Sequence, residues 1–411
     1  MCLKWWLHDR SKIRAPSPCT DVEDEKLASG SKVSGFFSSK VLSSVSSNSS
    51  SSSFAGSLIR DLLPQRPLFY RRSEIAAATH NFDAAQQIGS FAWKGVLHGS
   101  AVAIVQKPGV VEDFNKLLRR VHALHHSSLV KVVGGCAAAD SVFVVYELVH
   151  GDNLQSCLFS TLAPGFTVLS TWRSRMQVAV DVAKGLDYIH QHTSSQSAHK
   201  YLTSSNVMLT KEALRAKLVL VGMSVLTGEA NAREAENDSH HDEGAGAHES
   251  QKVDASRRKR GLESSGSIKI KGTHGYIPPE YVLSGVVSQK YDVFTFGIVL
   301  LELLKGGGLG REQRLKSRRV SIVEEARSIF PDEKGDRGSL RLWIDRRLND
   351  SYPVDDAMKL LRLVLLCVDE NPDRRPTMRD VALRMALFLD SAETWDKQRS
   401  TFTETTTLEG R

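Results

Sequence analysis

His199-Lys200-Tyr201-Leu202-Thr203-Ser204-Ser205-Asn206, followed by Leu220-Val221-Gly222 and by Gly272-Thr273-His274-Gly275-Tyr276-Ile277-Pro278-Pro279-Glu280-Tyr281, is the run on which the fold assignment turns. Upstream of it lie short apolar strands. Gly95-Val96-Leu97 and Ala101 to Val105 are separated by the turn residues His98-Gly99-Ser100, and Val130 to Val133 and Val142 to Leu148 add two more. A helix is expected from Glu112 to His125, where Phe114, Leu117, Leu118, Val121 and Leu124 share one stripe. An earlier helix, with Ser73 as N-cap and Ile75 through Thr79, ends before Asn81-Phe82. From Thr171 onward the chain turns mainly helical, with Trp172, Met176, Val180, Ala183, Leu186 and Ile189 at helical spacing. Phe296 to Leu304 is too short to span a membrane and carries Glu302, so it reads as a buried helix.

The bulk numbers fit a soluble globular protein: 411 residues, 41% hydrophobic and 25% charged. Five cysteines (Cys2, Cys19, Cys136, Cys157, Cys367) are odd in number and lack metal-ligand spacing, which suits a reducing compartment. A net charge of +7 permits contact with anionic membranes or acidic partners without demanding it.

Residues 1–67 are expected to stay disordered, since eleven of the sixteen residues from Ser38 to Ser53 are serine. Met1-Cys2-Leu3-Lys4-Trp5-Trp6, with Arg10, Lys12 and Arg14 behind it, supports two readings. One is a membrane anchor acylated at Cys2 and helped by tryptophans and basic residues; the other is an unmodified tail. Residues 227–271 read as a polar insertion, with His240, His241 and His248 in its acidic part and Arg257-Arg258-Lys259-Arg260 in its basic part. A solvated loop is the simpler reading of those histidines than a metal site. Between Gly306 and Gly338, Arg318-Arg319-Val320-Ser321 has the form of a basophilic kinase target, with Ser321 as phosphosite.

Taken together, these landmarks resemble the intracellular domain of plant receptor-like kinases and receptor-like cytoplasmic kinases. The resemblance rests further on Ser73-Glu74-Ile75-Ala76-Ala77-Ala78-Thr79-His80-Asn81-Phe82, Val102-Ala103-Ile104-Val105, Val145-Tyr146-Glu147-Leu148, Asp292-Val293-Phe294 and Arg374-Arg375-Pro376-Thr377-Met378. It runs from about Phe69 to Leu389 and is nearest to the lysin-motif type. It implies an α+β, bilobal protein-kinase-like fold. The N-lobe, residues 68–149, would be a small β-sheet with one main helix; the C-lobe, 150–395, would be larger and helical, with 396–411 a tail. Kinase signatures at the matching stations read V-A-I-K, H-R-D-L-x-x-x-N, D-F-G and A-P-E.

The resemblance also locates what has been replaced. The strand lysine is Val105, and its carboxylate partner falls at Leu117; the catalytic-loop aspartate is Tyr201, its lysine is Thr203, and the metal-binding aspartate is Leu220. A phenol with a reference pKa near 10 is unsuited as a base at neutral pH. The glycine loop, Ile88 to Gly95, is short and keeps its first glycine only, and Trp93 adds bulk where phosphate must approach. One rescue is conceivable, Lys107 on the same strand face as Val105 and about 7 Å further along; the strand spacing makes substitution the less favoured reading. A residual nucleotide pocket is expected from Ala103 above, Met208 below, the hinge Glu147-Leu148-Val149, and Asn206. His199, Glu280, Asp292 and Arg375 are implied scaffold residues, Glu280 pairing with Arg375 and Asp292 holding the catalytic loop. The expectation is a catalytically inactive pseudokinase that scaffolds active receptor-like kinases or their substrates. It would be cytoplasmic, with contact to the plasma membrane through its N-terminus and no transmembrane helix. No nucleic acid, metal or cofactor is expected, ATP and magnesium binding being weak or absent. The alternative is a weak, non-standard ATP-dependent Ser/Thr kinase.

Overall fold

Alternating burial along the first strands gives the sheet two apolar faces, and each is covered by one helix. The computed structural model describes residues 66–109, 112–138, 141–159, 169–193, 198–229, 272–306 and 322–408, as backbone alone beyond Arg399. Strands β1 (Leu68–Phe69), β2 (Gln87–Gly89), β3 (Ala92–Leu97), β4 (Ser100–Pro108), β5 (Val132–Ala138) and β6 (Ser141–Glu147) stand in the order β1-β5-β6-β4-β3-β2. All neighbours are antiparallel except β1 with β5. His98 and Gly99 take φ values of 49° and 77° at the β3–β4 turn, as a two-residue hairpin with the right twist requires. Val102, Ile104, Phe143 and Val145 pack on one face under Ile75 of α1 (Arg72–Ala78). On the other face Val105, Val142 and Val144 join Phe114 and Leu118 of α2 (Phe114–His122) in the large core.

Two helix ends differ from expectation. The N-cap of α1 is Arg71, whose N–H donates to the Glu74 carboxylate at 2.6 Å, and Ser73 lies inside the helix. α2 is shorter than Glu112 to His125, because only Phe114–His122 can present Phe114, Leu118, Val121 and His122 to the core.

The second lobe holds α3 (Leu154–Phe159), α4 (Trp172–His192), α5 (Met223–Leu226), α6 (Pro279–Ser284), α7 (Gln289–Lys305), α8 (Ile322–Ser328), α9 (Arg337–Trp343), α10 (Val354–Cys367) and α11 (Met378–Leu408). It also contains a small sheet, β7 (Gly151–Asn153), β8 (Val207–Thr210) and β9 (Ala216–Leu218), for which the sequence pattern gave no warning. Thr171 caps α4 by accepting the Ser174 N–H at 3.1 Å, and the predicted apolar stripe of that helix is buried. α7 is buried nearly all round; Glu302 is tolerated there because its carboxylate accepts the Tyr276 hydroxyl at 2.6 Å. The expected 396–411 tail is corrected: α11 continues through Leu408. The register that buries Val381, Met385 and Ala392 carries on, and the Arg399 guanidinium lies 5.5 Å over Trp395 one turn later. The 227–271 insertion is corrected at its start, since Thr227, Gly228 and Glu229 belong to the folded chain. Its remainder, Cys2 with the rest of the serine-rich tail, and Ser321 lie outside the described residues. Among the described residues no helix is long and apolar enough to cross a membrane.

Two buried arginines tie the helices together. Arg375 forms a fork with Glu280 (Nη1–Oε1 2.6 Å, Nη2–Oε2 2.7 Å), and its Nε donates to the Asp369 carbonyl at 2.8 Å. Arg175 of α4 donates to Asp345 (2.6 Å) and to the carbonyls of Leu303 (2.6 Å) and Leu169 (2.8 Å). Removing one member of such a pair leaves an uncompensated buried charge. Arg375→Ala is therefore expected to destabilise the protein by about 3–5 kcal/mol in urea denaturation. Arg375→Lys should recover only part of this, since an ammonium cannot reproduce the fork.

Candidate functional site

Four pieces of chain meet between the lobes: β4 with Ala103 and Val105, α2 with Leu117, the loop His199–Asn206, and the turn Val219–Gly222 after β9. The loop is held from beneath. The Asp292 carboxylate, fully buried in the first turn of α7, accepts the backbone N–H of His199 (2.6 Å) and of Lys200 (2.8 Å). His190 Nε2 donates to the same carboxylate at 2.8 Å. His199 donates from Nε2 to the Val219 carbonyl at 2.8 Å, tying the loop to the turn. Burial holds its imidazole pKa below the ordinary range, and its Nδ1 lacks a partner, as a neutral ring allows.

Where phosphate chemistry would need a base and a metal, side chains bond to one another. The Tyr201 hydroxyl and Lys200 Nζ both donate to Glu229 Oε2, each at 2.7 Å. Lys107 reaches in from β4 after all: its Nζ lies 5.1 Å over the Tyr201 ring and 5.9 Å over that of Phe91. The strand spacing was right, but the flexible lysine stem covers the difference. Burial, and secondly the Glu229 charge, push the Tyr201 phenol well above its usual pKa. It stays protonated at neutral pH, as a donor.

Val105 is buried between Ala92 and Val144 in the sheet, and Leu117 is half-buried against the same core, with Leu118 beside it fully buried. Leu220 also packs there; its φ of 61° is left-handed, a conformation that disfavours leucine. Gly222 (φ 72°) turns the chain into α5, and a Cβ there would lie 2.2 Å from Val121 Cγ1. Asn206 donates from Nδ2 to the Tyr201 carbonyl at 2.7 Å, and Thr203 is buried with its hydroxyl 2.8 Å from that of Ser205. Ala103, Val149 and Met208 are half-buried, and Glu147 pairs with Lys217 at 2.7 Å. Behind them the buried Tyr146 hydroxyl donates to the Val221 carbonyl at 3.1 Å.

The glycine loop is shorter than a flap. Ser90 and Phe91 alone join β2 to β3, Gly89 pairing with Ala92. Trp93 is corrected: it pairs with Ile104 on the α1 face and packs edge-on against Phe82 at 5.2 Å, away from the cleft. With so short a turn Trp93 already belongs to the strand, and side-chain alternation sends it outward.

Magnesium asks for several hard oxygens and phosphate for amides or a lysine. Leu220 offers magnesium no oxygen, Val105 offers phosphate no ammonium and the two-residue turn offers no flap, while Lys107 brings an ammonium over Tyr201. Among the described residues no group of three histidine, cysteine or acidic side chains is arranged to hold a metal ion. Sequence reading missed Glu229, which carried no motif and opened a polar segment. It also missed Arg175, although an arginine three residues after Trp172 on the buried stripe of α4 signals a buried partner.

The sequence matches the protein tyrosine and serine/threonine kinase family over residues 102–243 and 257–385. LysM domain receptor-like kinase 3 of Arabidopsis thaliana is 30% identical over 344 residues, which cover 81% of this chain and 48% of that protein. Chitin elicitor receptor kinase 1 of Physcomitrium patens is 31% identical over 376 residues, 87% of this chain and 52% of that one. The chain thus spans about half the length of the curated relatives it matches. Among solved structures, the pseudokinase domain of BIR2, an immune regulator of the RLK/Pelle family, shares the fold. Its TM-score is 0.56 at 21% identity, covering 80% of this chain and 88% of that one.

The Tyr201–Glu229 contact has a pH signature. A phenol whose folded pKa lies above 10 contributes stability that is complete below pH 10 and lost as pH rises beyond it. Above pH 10, stability of the Tyr201→Phe variant should fall less steeply than that of the wild type, by about 1.4 kcal/mol per pH unit. At pH 7 the same variant should be weaker by about 1.5–3 kcal/mol, the worth of a hydrogen bond to a charged group. Urea midpoints from pH 7 to pH 11 measure both.

Proposed function

The chain belongs to the protein tyrosine and serine/threonine kinase family, among the plant receptor-like kinases, and from that membership we propose that it is a pseudokinase acting by binding. Its kinase-shaped surface docks active receptor-like kinases or their substrates and transfers no phosphate. The observation that carries this reading is the closure of the site by Lys200, Glu229 and Tyr201, with Leu220 at the metal station. Removing one charge-stabilising group costs on the order of 10²-fold or more in rate, and several are missing together. The protein needs no cofactor and contacts no nucleic acid. Phosphorylation in the serine tract, within 227–271 or at Ser321 regulates it, by adding charge to the segment concerned.

A second reading, a weak ATP-dependent Ser/Thr kinase, is favoured by one observation, the Lys107 ammonium above Tyr201. Phosphorylation of a generic substrate that Lys107→Ala abolishes would establish it.

Thermal-shift titration decides nucleotide binding. No magnesium-dependent rise in melting temperature is expected below roughly 1 mM ATP, which corresponds to only about 4 kcal/mol of binding. Val105→Lys alone should yield no phosphorylation and should lower the melting temperature, since Leu117 offers its ammonium no partner. A micromolar, magnesium-dependent shift, or activity in that variant, would sink the pseudokinase reading.

The protein works in the cytoplasm beside the plasma membrane, with an acyl chain on Cys2 as anchor. One chain gives marginal, reversible binding and depends on the neighbouring basic residues and tryptophans. In fractionated plant cells the wild type should divide between membrane and cytosol, and Cys2→Ser should move to the cytosol. Two fully soluble proteins would remove the anchor.

A further inference from the structure

We propose that the N-lobe carries a membrane contact of its own, a cationic and aromatic edge built by β1 and α2 that docks on an anionic lipid surface. Lys116, Arg119 and Arg120 stand at helical spacing on the exposed ridge of α2, opposite the buried Phe114, Leu118 and Val121. The Arg119 guanidinium lies 5.5 Å over the ring of Phe69. Phe69 is 46% exposed and its neighbour Leu68 43%, on a strand at the end of the sheet. Arg71 and Arg72, both exposed, follow immediately.

None of these five cations forms an ion pair among the described residues. Glu74, three residues after Arg71, accepts the Arg71 backbone N–H, and Glu112 and Asp113 precede the helix that carries Lys116. Six exposed arginines of the helical lobe, Arg173, Arg215, Arg327, Arg337, Arg341 and Arg347, each have a carboxylate within 4.0 Å, while Arg346, Arg374, Arg379 and Arg384, exposed as well, form no ion pair among the described residues; what sets the N-lobe cations apart is their place beside an exposed aromatic. An uncompensated cationic ridge flanking an exposed aromatic has the chemistry of a lipid headgroup contact. Anionic headgroups meet the charges, the ring enters the interface, and each cation near the surface strengthens binding about fivefold. The inference deepens the membrane-proximal reading above and does not depend on acylation.

The test uses the full chain made in bacteria, hence without an acyl chain, in a Trp5→Ala/Trp6→Ala background that removes the tail's own interfacial residues. Sedimentation with phosphatidylcholine vesicles should show no binding. Vesicles containing phosphatidylserine should bind it, less so as salt rises. Arg119→Glu/Arg120→Glu should weaken that binding by about 25-fold or more, the product of two lost cations. Phe69→Ala should weaken it severalfold. Both variants alter exposed side chains, and unchanged melting temperatures confirm that they fold. Absence of binding to phosphatidylserine vesicles, or equal binding by the charge-reversed variant, overturns the proposal. Capture on polyglutamate with none on vesicles overturns it too, in favour of an acidic protein partner. Failure here leaves the Cys2 anchor standing, because fractionation of Cys2→Ser reads that anchor separately.

Discussion

One buried carboxylate organises the centre of the molecule. Asp292 has no access to solvent and accepts two consecutive backbone amides, those of His199 and Lys200, together with the imidazole of His190. Such a group is costly to bury unless all its acceptors are used. Here three donors from α4 and the catalytic-type loop satisfy it. The loop is thereby fixed to α7, the most buried helix, and the position of everything the loop carries follows. His199 passes the constraint on to Val219, and from there the chain enters the turn that ends at α5.

Given that frame, the cleft between the lobes had to be filled by groups that satisfy one another. Val105, Leu117 and Leu220 do so by joining the apolar core. A lone lysine at Val105 or a lone aspartate at Leu220 would be a buried charge without its counter-charge, so matched apolar replacement is the stable alternative. The polar members are satisfied as a chain, with Lys200 and Tyr201 converging on Glu229. Removing Glu229 would take the shared acceptor from both donors at once, which makes these members coupled rather than a set of independent losses.

Much of this was legible in the residues. Four of the six strands of the sheet, the stripe of α4 and the pairing of Glu280 with Arg375 follow from local periodicity or from a motif with a geometric meaning; the short β1 and β2 did not show. What escaped depended on contacts between segments far apart in sequence. Glu229 looked like the first acid of a polar loop, and only the fold brings it to Lys200. Trp93 was misplaced because the length of the preceding turn decides whether a residue belongs to a flap or to a strand, and one residue of register reverses its face. The resemblance ends before 396 and left the rest as a tail, yet the helix runs on, because helical turns propagate from the packed turns before them.

The backbone at the site says what has been kept. Lys200 and Leu220 sit at φ values of 67° and 61°. Left-handed backbone costs a residue with a Cβ roughly 1–2 kcal/mol, and asparagine, aspartate or glycine would bear it more easily. Leucine gains nothing locally from that conformation. It is imposed by the hydrogen bonds at Asp292 and Val219 and by the close approach of Gly222 to Val121, which leave the turn a single path into α5. The turn therefore keeps that bend at a cost in strain, with valine, tyrosine and leucine standing where the family's signatures have a lysine and two aspartates.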